Sequence, residues 1–178
     1  MKFFEASHTF FYSWSHVSAA SWRKYPNDKC PHVIAIDVLD RHVDPETGIL
    51  RTERLITCQQ NIPKLLSKLF GGSTVTYARE ISEIDPKNKV LKMTSCNLSV
   101  NHLVNVSETV VYKEDPSDPS KTLFKQEASI KCGESISQFA SFIEDFFVQR
   151  FGDNATKGRQ GFENVLDRLK GQGETIKS

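Results

Sequence analysis

ESISQFASFIEDFFVQRFGDNATKGRQGFENVLDRLK, residues 134–170, runs without a proline and repeats its apolar residues at helical spacing. It predicts one helix of roughly ten turns, with a bend at Gly152 or Gly158. Placed at 100° per residue, Ile136, Phe139, Ala140, Ile143, Phe147 and Val165 share one arc. Arg150, Asn154 and Lys157 fall in that same arc, while Asp145, Gln149, Thr156 and Glu163 populate the opposite side. Two cations and an amide thus interrupt the face that should meet the rest of the fold. An unpartnered buried cation costs several kcal/mol, on the order of what a whole domain can spare. Three readings answer this: an internal salt bridge, side chains snorkelling at the helix edge, or an anionic ligand in a cavity.

What precedes the helix is a series of strands. Residues 2–12 alternate, and Ser13 can cap a helix that ends near Tyr25, before Pro26. Residues 32–39 and 49–59 read as a hairpin around the Asp44-Pro-Glu-Thr-Gly turn. Four more strands follow near 73–84, 88–98, 102–113 and 121–133. Together these predict a seven-stranded curved antiparallel meander of an α+β fold, gripped by the long C-terminal helix. Residues 1–170 form a single domain, and 171–178 a polar tail. Between the third and fourth strands Ile62, Leu65, Leu66, Leu69 and Phe70 stand at helical spacing opposite Lys64, Ser67 and Lys68. This short amphipathic helix, stopped by Gly71-Gly72, is either a core-packing crossover or a mobile lid.

The 178 residues suffice for one well-cored domain. Lys plus Arg number 23 against 22 Asp plus Glu, so no net field favours nucleic acid. No stretch approaches the ~20 apolar residues of a membrane span, and the N-terminus is neither a signal peptide nor an Arg-rich transit sequence. Cys30, Cys58, Cys96 and Cys132 lie too far apart for a zinc motif and read as reduced thiols. The triplets at Asn97, Asn105 and Asn154 carry no glycosylation signal without a secretory leader.

Two further residues suit an anionic ligand. Arg54 shares its side of the third strand with Ile56 and Cys58, and His32 is in phase with Ile34, Ile36 and Val38. Glu53 points to the other face and does not neutralise Arg54 within the strand. Catalysis has little support: nucleophile elbow, His-Glu-x-x-His and Gly-rich phosphate loop are all missing. A Cys58–His32 nucleophile and base has no sequence argument for proximity. No cofactor is expected.

The blocks RKYPN (23–27), HVIAIDVLDR (32–41), RTERLITCQQNIPKLL (51–66), AREISEID (78–85), MTSCNLS (93–99), ETVVY (108–112) and QRFGDNATKGRQGFENVL (149–166) follow one another in an order and spacing that resembles the PRELI family, its slowmo and fungal Ups branch above all. The resemblance spans residues 1 to about 168. It implies a soluble, peripherally membrane-associated carrier of phospholipids across the mitochondrial intermembrane space. The implied fold resembles phosphatidylinositol-transfer proteins, with the lid at Ile62, Lys64, Leu65, Leu66, Lys68, Leu69 and Phe70. The implied partner is a small twin-CX9C helical-hairpin protein. Family headgroup contacts fall on His32, Arg54, Arg150, Asn154 and Lys157, and a membrane or partner contact falls on Lys24. Phosphatidic-acid carriers of the family show Lys-Lys where this chain has Thr57-Cys58. Phosphatidylserine is therefore the expected cargo, with a phosphatidic-acid carrier or a non-lipid mitochondrial adaptor as alternatives.

Overall fold

The computed structural model describes residues 1–59, 67–68, 72 and 74–175. Its strands are β1 (Lys2–Phe10), β2 (Val33–Val43), β3 (Leu50–Gln59), β4 (Val75–Asp85), β5 (Val90–Asn97), β6 (Val104–Asp115) and β7 (Asp118–Cys132). Helix α1 (Trp14–Ser21) follows β1, and helix α2 (Ala140–Thr175) closes the described chain after a 3-10 turn at Glu134–Phe139.

All seven strands join one antiparallel sheet in the order β1-β7-β6-β5-β4-β3-β2. Strands β2 to β7 are the expected meander. The first strand departs from it by lying against β7, with Lys2 opposite Ile130 and Phe10 opposite Thr122. Alternation gives β1 an inner face without naming its neighbour, and α1 carries the chain from one edge of the sheet to the other. Turn chemistry is local: Asp44 Oδ1 accepts from the amides of Glu46 and Thr47, both at 2.9 Å, and Gly48 takes φ +72°. Ser13 caps α1, its hydroxyl accepting from His16 N at 3.4 Å, but the helix ends at Ser21 rather than near Tyr25.

Helix α2 lies along the concave face and is packed at both ends. Its C-terminal part supplies Phe162, Val165 and Leu166 to a core with Phe10, Val17, Leu91, Tyr112 and Phe124. Near its start Ile136 and Ile143 pack against Val104 and Ile130. Buried Glu144 ties this end down: its carboxylate accepts from Cys132 N at 3.0 Å and from the Met1 ammonium at 2.9 Å. Phe139, expected inward, is half exposed. The 3-10 turn, with Ile136 out of helical geometry, changes the rotation per residue and carries Phe139 off the inner arc. The helix also continues to Thr175, so residues 171–175 of the expected tail are helical.

Candidate functional site

Between its two packed ends α2 stands off the sheet, and a mostly apolar cavity of about 340 Å³ opens there. That is within the range typical of ligand pockets, roughly 300–1,000 Å³. Strands β3 to β7 form its floor, through residues such as Ile56, Met93, Val106 and Val110, and Phe147, Arg150, Phe151 and Asn154 of α2 form its roof. Lys24, Tyr25, Cys30 and His32, from the segment between α1 and β2, complete the wall. Of the residues expected to hold a headgroup, His32, Arg150 and Asn154 come together on this wall.

His32 is half-buried, and its pKa is lowered by burial and by the nearby Arg150 and Lys157 charges. The imidazole is therefore neutral at neutral pH. Lys157 is exposed and stands outside the lining, yet close enough that its charge is felt by both His32 and Cys30. Arg54 is buried on the inner face of β3, but its Nε donates to Glu80 Oε1 at 3.0 Å and its Nη2 reaches the same oxygen. Its guanidinium carbon lies 5.4 Å from the Trp22 ring centre. Glu53 indeed points away, to Arg79 at 2.6 Å; the neutralising carboxylate comes from the next strand. Arg54 is thus committed to Glu80 and Trp22 and lies behind the cavity wall.

Lys24, expected at a membrane or partner surface, turns inward. Its Nζ lies 5.5 Å from the Tyr25 ring centre and 5.8 Å from that of Phe162. Burial works against this ammonium, but Tyr25, Tyr112, Glu108 and Glu80 outweigh it and raise its pKa. Lys24 stays charged inside the cavity. Tyr112, beside it, is pushed up to about 12, chiefly by burial.

Sequence reasoning overlooked Glu80 and Glu108, both on the lining. A signal was there: Glu108 is in phase with Val104, Val106, Val110 and Tyr112, a carboxylate in the apolar register of its strand. The cysteines are a second surprise. Cys30, Cys58 and Cys96 all line the cavity, and all four cysteines are free thiols. Cys58 does neighbour His32, because Val33 pairs with Cys58 and Gln59 N donates to His32 O at 2.8 Å. Burial raises the thiol pKa of Cys30 and Cys58 and keeps both protonated, which disfavours nucleophilic chemistry.

Of the lid residues, Lys68 is described and exposed, whereas Ile62, Lys64, Leu65, Leu66, Leu69 and Phe70 lie outside the described residues. Ser67 O accepts from Gly72 N at 2.8 Å. No helix among the described residues is long and apolar enough to cross a membrane.

A curved antiparallel sheet wrapped on a long C-terminal helix, hollow where the two separate, defines a helix-grip fold. The aromatase/cyclase Zhui of Streptomyces sp. R1128 has the same architecture, with a TM-score of 0.63 at 10% identity over 94% of each chain. Residues 15–172 match the PRELI-like family, and the chain belongs to it. It is 47% identical over 167 residues to the mitochondrial protein UPS2 of Saccharomyces cerevisiae, covering 93% of this chain and 73% of that one. It is 35% identical over 175 residues to the slowmo homolog of Dictyostelium discoideum, covering 98% and 75%. These relatives place it in the slowmo and Ups branch.

Proposed function

We propose that this protein is a mitochondrial phospholipid carrier, which moves single phosphatidylserine molecules between the outer and inner membranes and makes or breaks no covalent bond. One observation carries the reading: the cavity between sheet and helix is mostly apolar, yet holds Lys24, His32, Arg150 and Asn154 on its wall. Acyl chains laid against the apolar floor return ~0.8 kcal/mol per methylene, which offsets their removal from a bilayer. Charged and amide donors then orient a phosphate and a carboxylate. Lys157, outside the lining, adds positive potential at its rim.

Protonated thiols and a neutral His32 suit a passive container better than a reaction centre. In this reading residues 62–72 are the lid that opens at a membrane surface, with exposed Lys68 meeting anionic headgroups. The intermembrane space is the compartment, and a small twin-CX9C helical-hairpin protein the partner.

Transfer between liposomes, with donor vesicles containing labelled phosphatidylserine or phosphatidic acid, tests the reading. Selective movement of phosphatidylserine is the expected result. Selective movement of phosphatidic acid keeps the carrier and replaces the cargo. Movement of neither, by folded protein with its partner, returns the chain to the adaptor alternative.

A further inference from the structure

A polar row runs straight across the inner face of the sheet, and three of its members, Glu80, Ser95 and Glu108, lie on the cavity lining. Arg54 of β3 pairs with Glu80 of β4, Glu80 with Ser95 of β5, and Ser95 with Glu108 of β6. Directly paired residues project to the same face, so this row looks into the concave side at one level. Glu80 and Glu108 are two strands apart, roughly 9.5 Å at the usual strand spacing.

Their partners differ. Glu80 is held by the Arg54 guanidinium on the side away from the cavity. Glu108 is held by two neutral donors: Ser95 Oγ donates to Oε2 at 3.0 Å, and Gln126 Nε2 donates to Oε1 at 2.6 Å. Lys24 is within electrostatic reach of both carboxylates, and Arg150 and Asn154 line the helix side. The cavity therefore offers cations on one wall and an anchored carboxylate on the floor. A purely anionic ligand gains from the first and is repelled by the second. A ligand with both signs of charge is served by each.

We infer that Glu108, set in place by Ser95 and Gln126, receives the ammonium of a phospholipid headgroup and so selects lipids that carry a primary amine beside their anionic groups. The inference rests on the carrier reading and sharpens it. A phosphomonoester headgroup has no cationic part to give Glu108, and its extra negative charge lies near that carboxylate. Discrimination against it is then built into the sheet as a repulsive element.

The test is liposome transfer by the full chain with phosphatidylserine, phosphatidic acid and N-acetylated phosphatidylserine, whose amine is blocked. The unmodified protein should move phosphatidylserine at least tenfold faster than the blocked lipid. Glu108→Gln should lose at least tenfold of phosphatidylserine transfer while its phosphatidic-acid transfer holds or rises. Equal movement of blocked and free phosphatidylserine by the unmodified protein overturns the inference, and needs no variant to fold. So does a Glu108→Gln protein that keeps phosphatidylserine transfer, or loses both lipids in parallel as breaking an internal Lys24–Glu108 pair would. An unmodified protein that moves none of the three lipids sinks the carrier reading itself, and this inference with it.

Discussion

The C-terminal and central parts of helix α2 face the same sheet, and their surroundings are opposite in kind. Around Phe162 and Leu166 the packing is dense: Phe10, Tyr112 and Phe162 stand with ring centres 5.6 to 6.0 Å apart, every member of that core is buried, and these three rings close the near end of the cavity. Two or three turns earlier, around Arg150 and Asn154, the helix holds an opening with charges in it. One end is packed and the middle is open. Pinning the helix at Glu144 and again at Phe162 lets the stretch between them stay apart from the sheet without collapse. Stability and capacity are thus assigned to different turns of one helix.

The difference can be broken from the packed side. Phe162→Ala empties a nearly fully buried site beside the Phe10 and Tyr112 rings and should cost about 3–5 kcal/mol, read as a lower urea midpoint with unchanged slope. A loss below about 1 kcal/mol would mean that the packed end is not packed. From the hollow side, Arg150→Glu should reduce phosphatidylserine transfer more than tenfold with a smaller loss of stability than Phe162→Ala. Transfer that survives this charge reversal removes Arg150 from the headgroup site.

The far anchor gives the next effect in size. Glu144→Ala leaves the Cys132 amide without its acceptor and should cost about 1–3 kcal/mol. The Cys132 amide and the Met1 ammonium hold the carboxyl below its ordinary range. Its contribution is therefore complete above the unfolded value of about 4.5 and is lost as the pH falls through the lower folded value. Acid titration of stability should show a shallower fall for the variant. Parallel curves for the two proteins would show that Glu144 carries no pH-linked stability.

How much of this was legible in advance follows from the range of each interaction. Strand alternation, the turn at Asp44, the Ser13 cap and the helix beyond Cys132 are set by near neighbours, and all stand close to where the sequence puts them. The inner position of Arg150 and Asn154 was likewise readable, from helical phase alone. Pairings between distant segments were not. Nothing near Lys2 announces that β1 lies beside β7, and nothing near Arg54 announces Glu80, 26 residues on. The inward turn of Lys24 depends on how the α1–β2 segment folds over the cavity. Glu108 is the instructive omission, since the parity test applied to Arg54 and His32 finds it equally well.

The smallest effect separates an empty from an occupied cavity at a single ring. His32 has a lowered pKa, from burial first and then from the positive charges of Arg150 and Lys157. Between the ordinary value of about 6.5 and that lower one, the unfolded chain takes a proton that the folded chain refuses. Stability should accordingly decline as the pH drops through this window. An anionic headgroup placed beside Arg150 cancels part of the repulsion and gives the imidazolium a partner, so loading should raise the His32 pKa and couple binding to proton uptake. Proton NMR of the His32 ring, followed through pH with and without bound phosphatidylserine, reads the shift directly. An upward move on loading puts the anionic part of the headgroup at the hollow middle of the helix; an unmoved or lowered value means that the charged end of the lipid rests elsewhere.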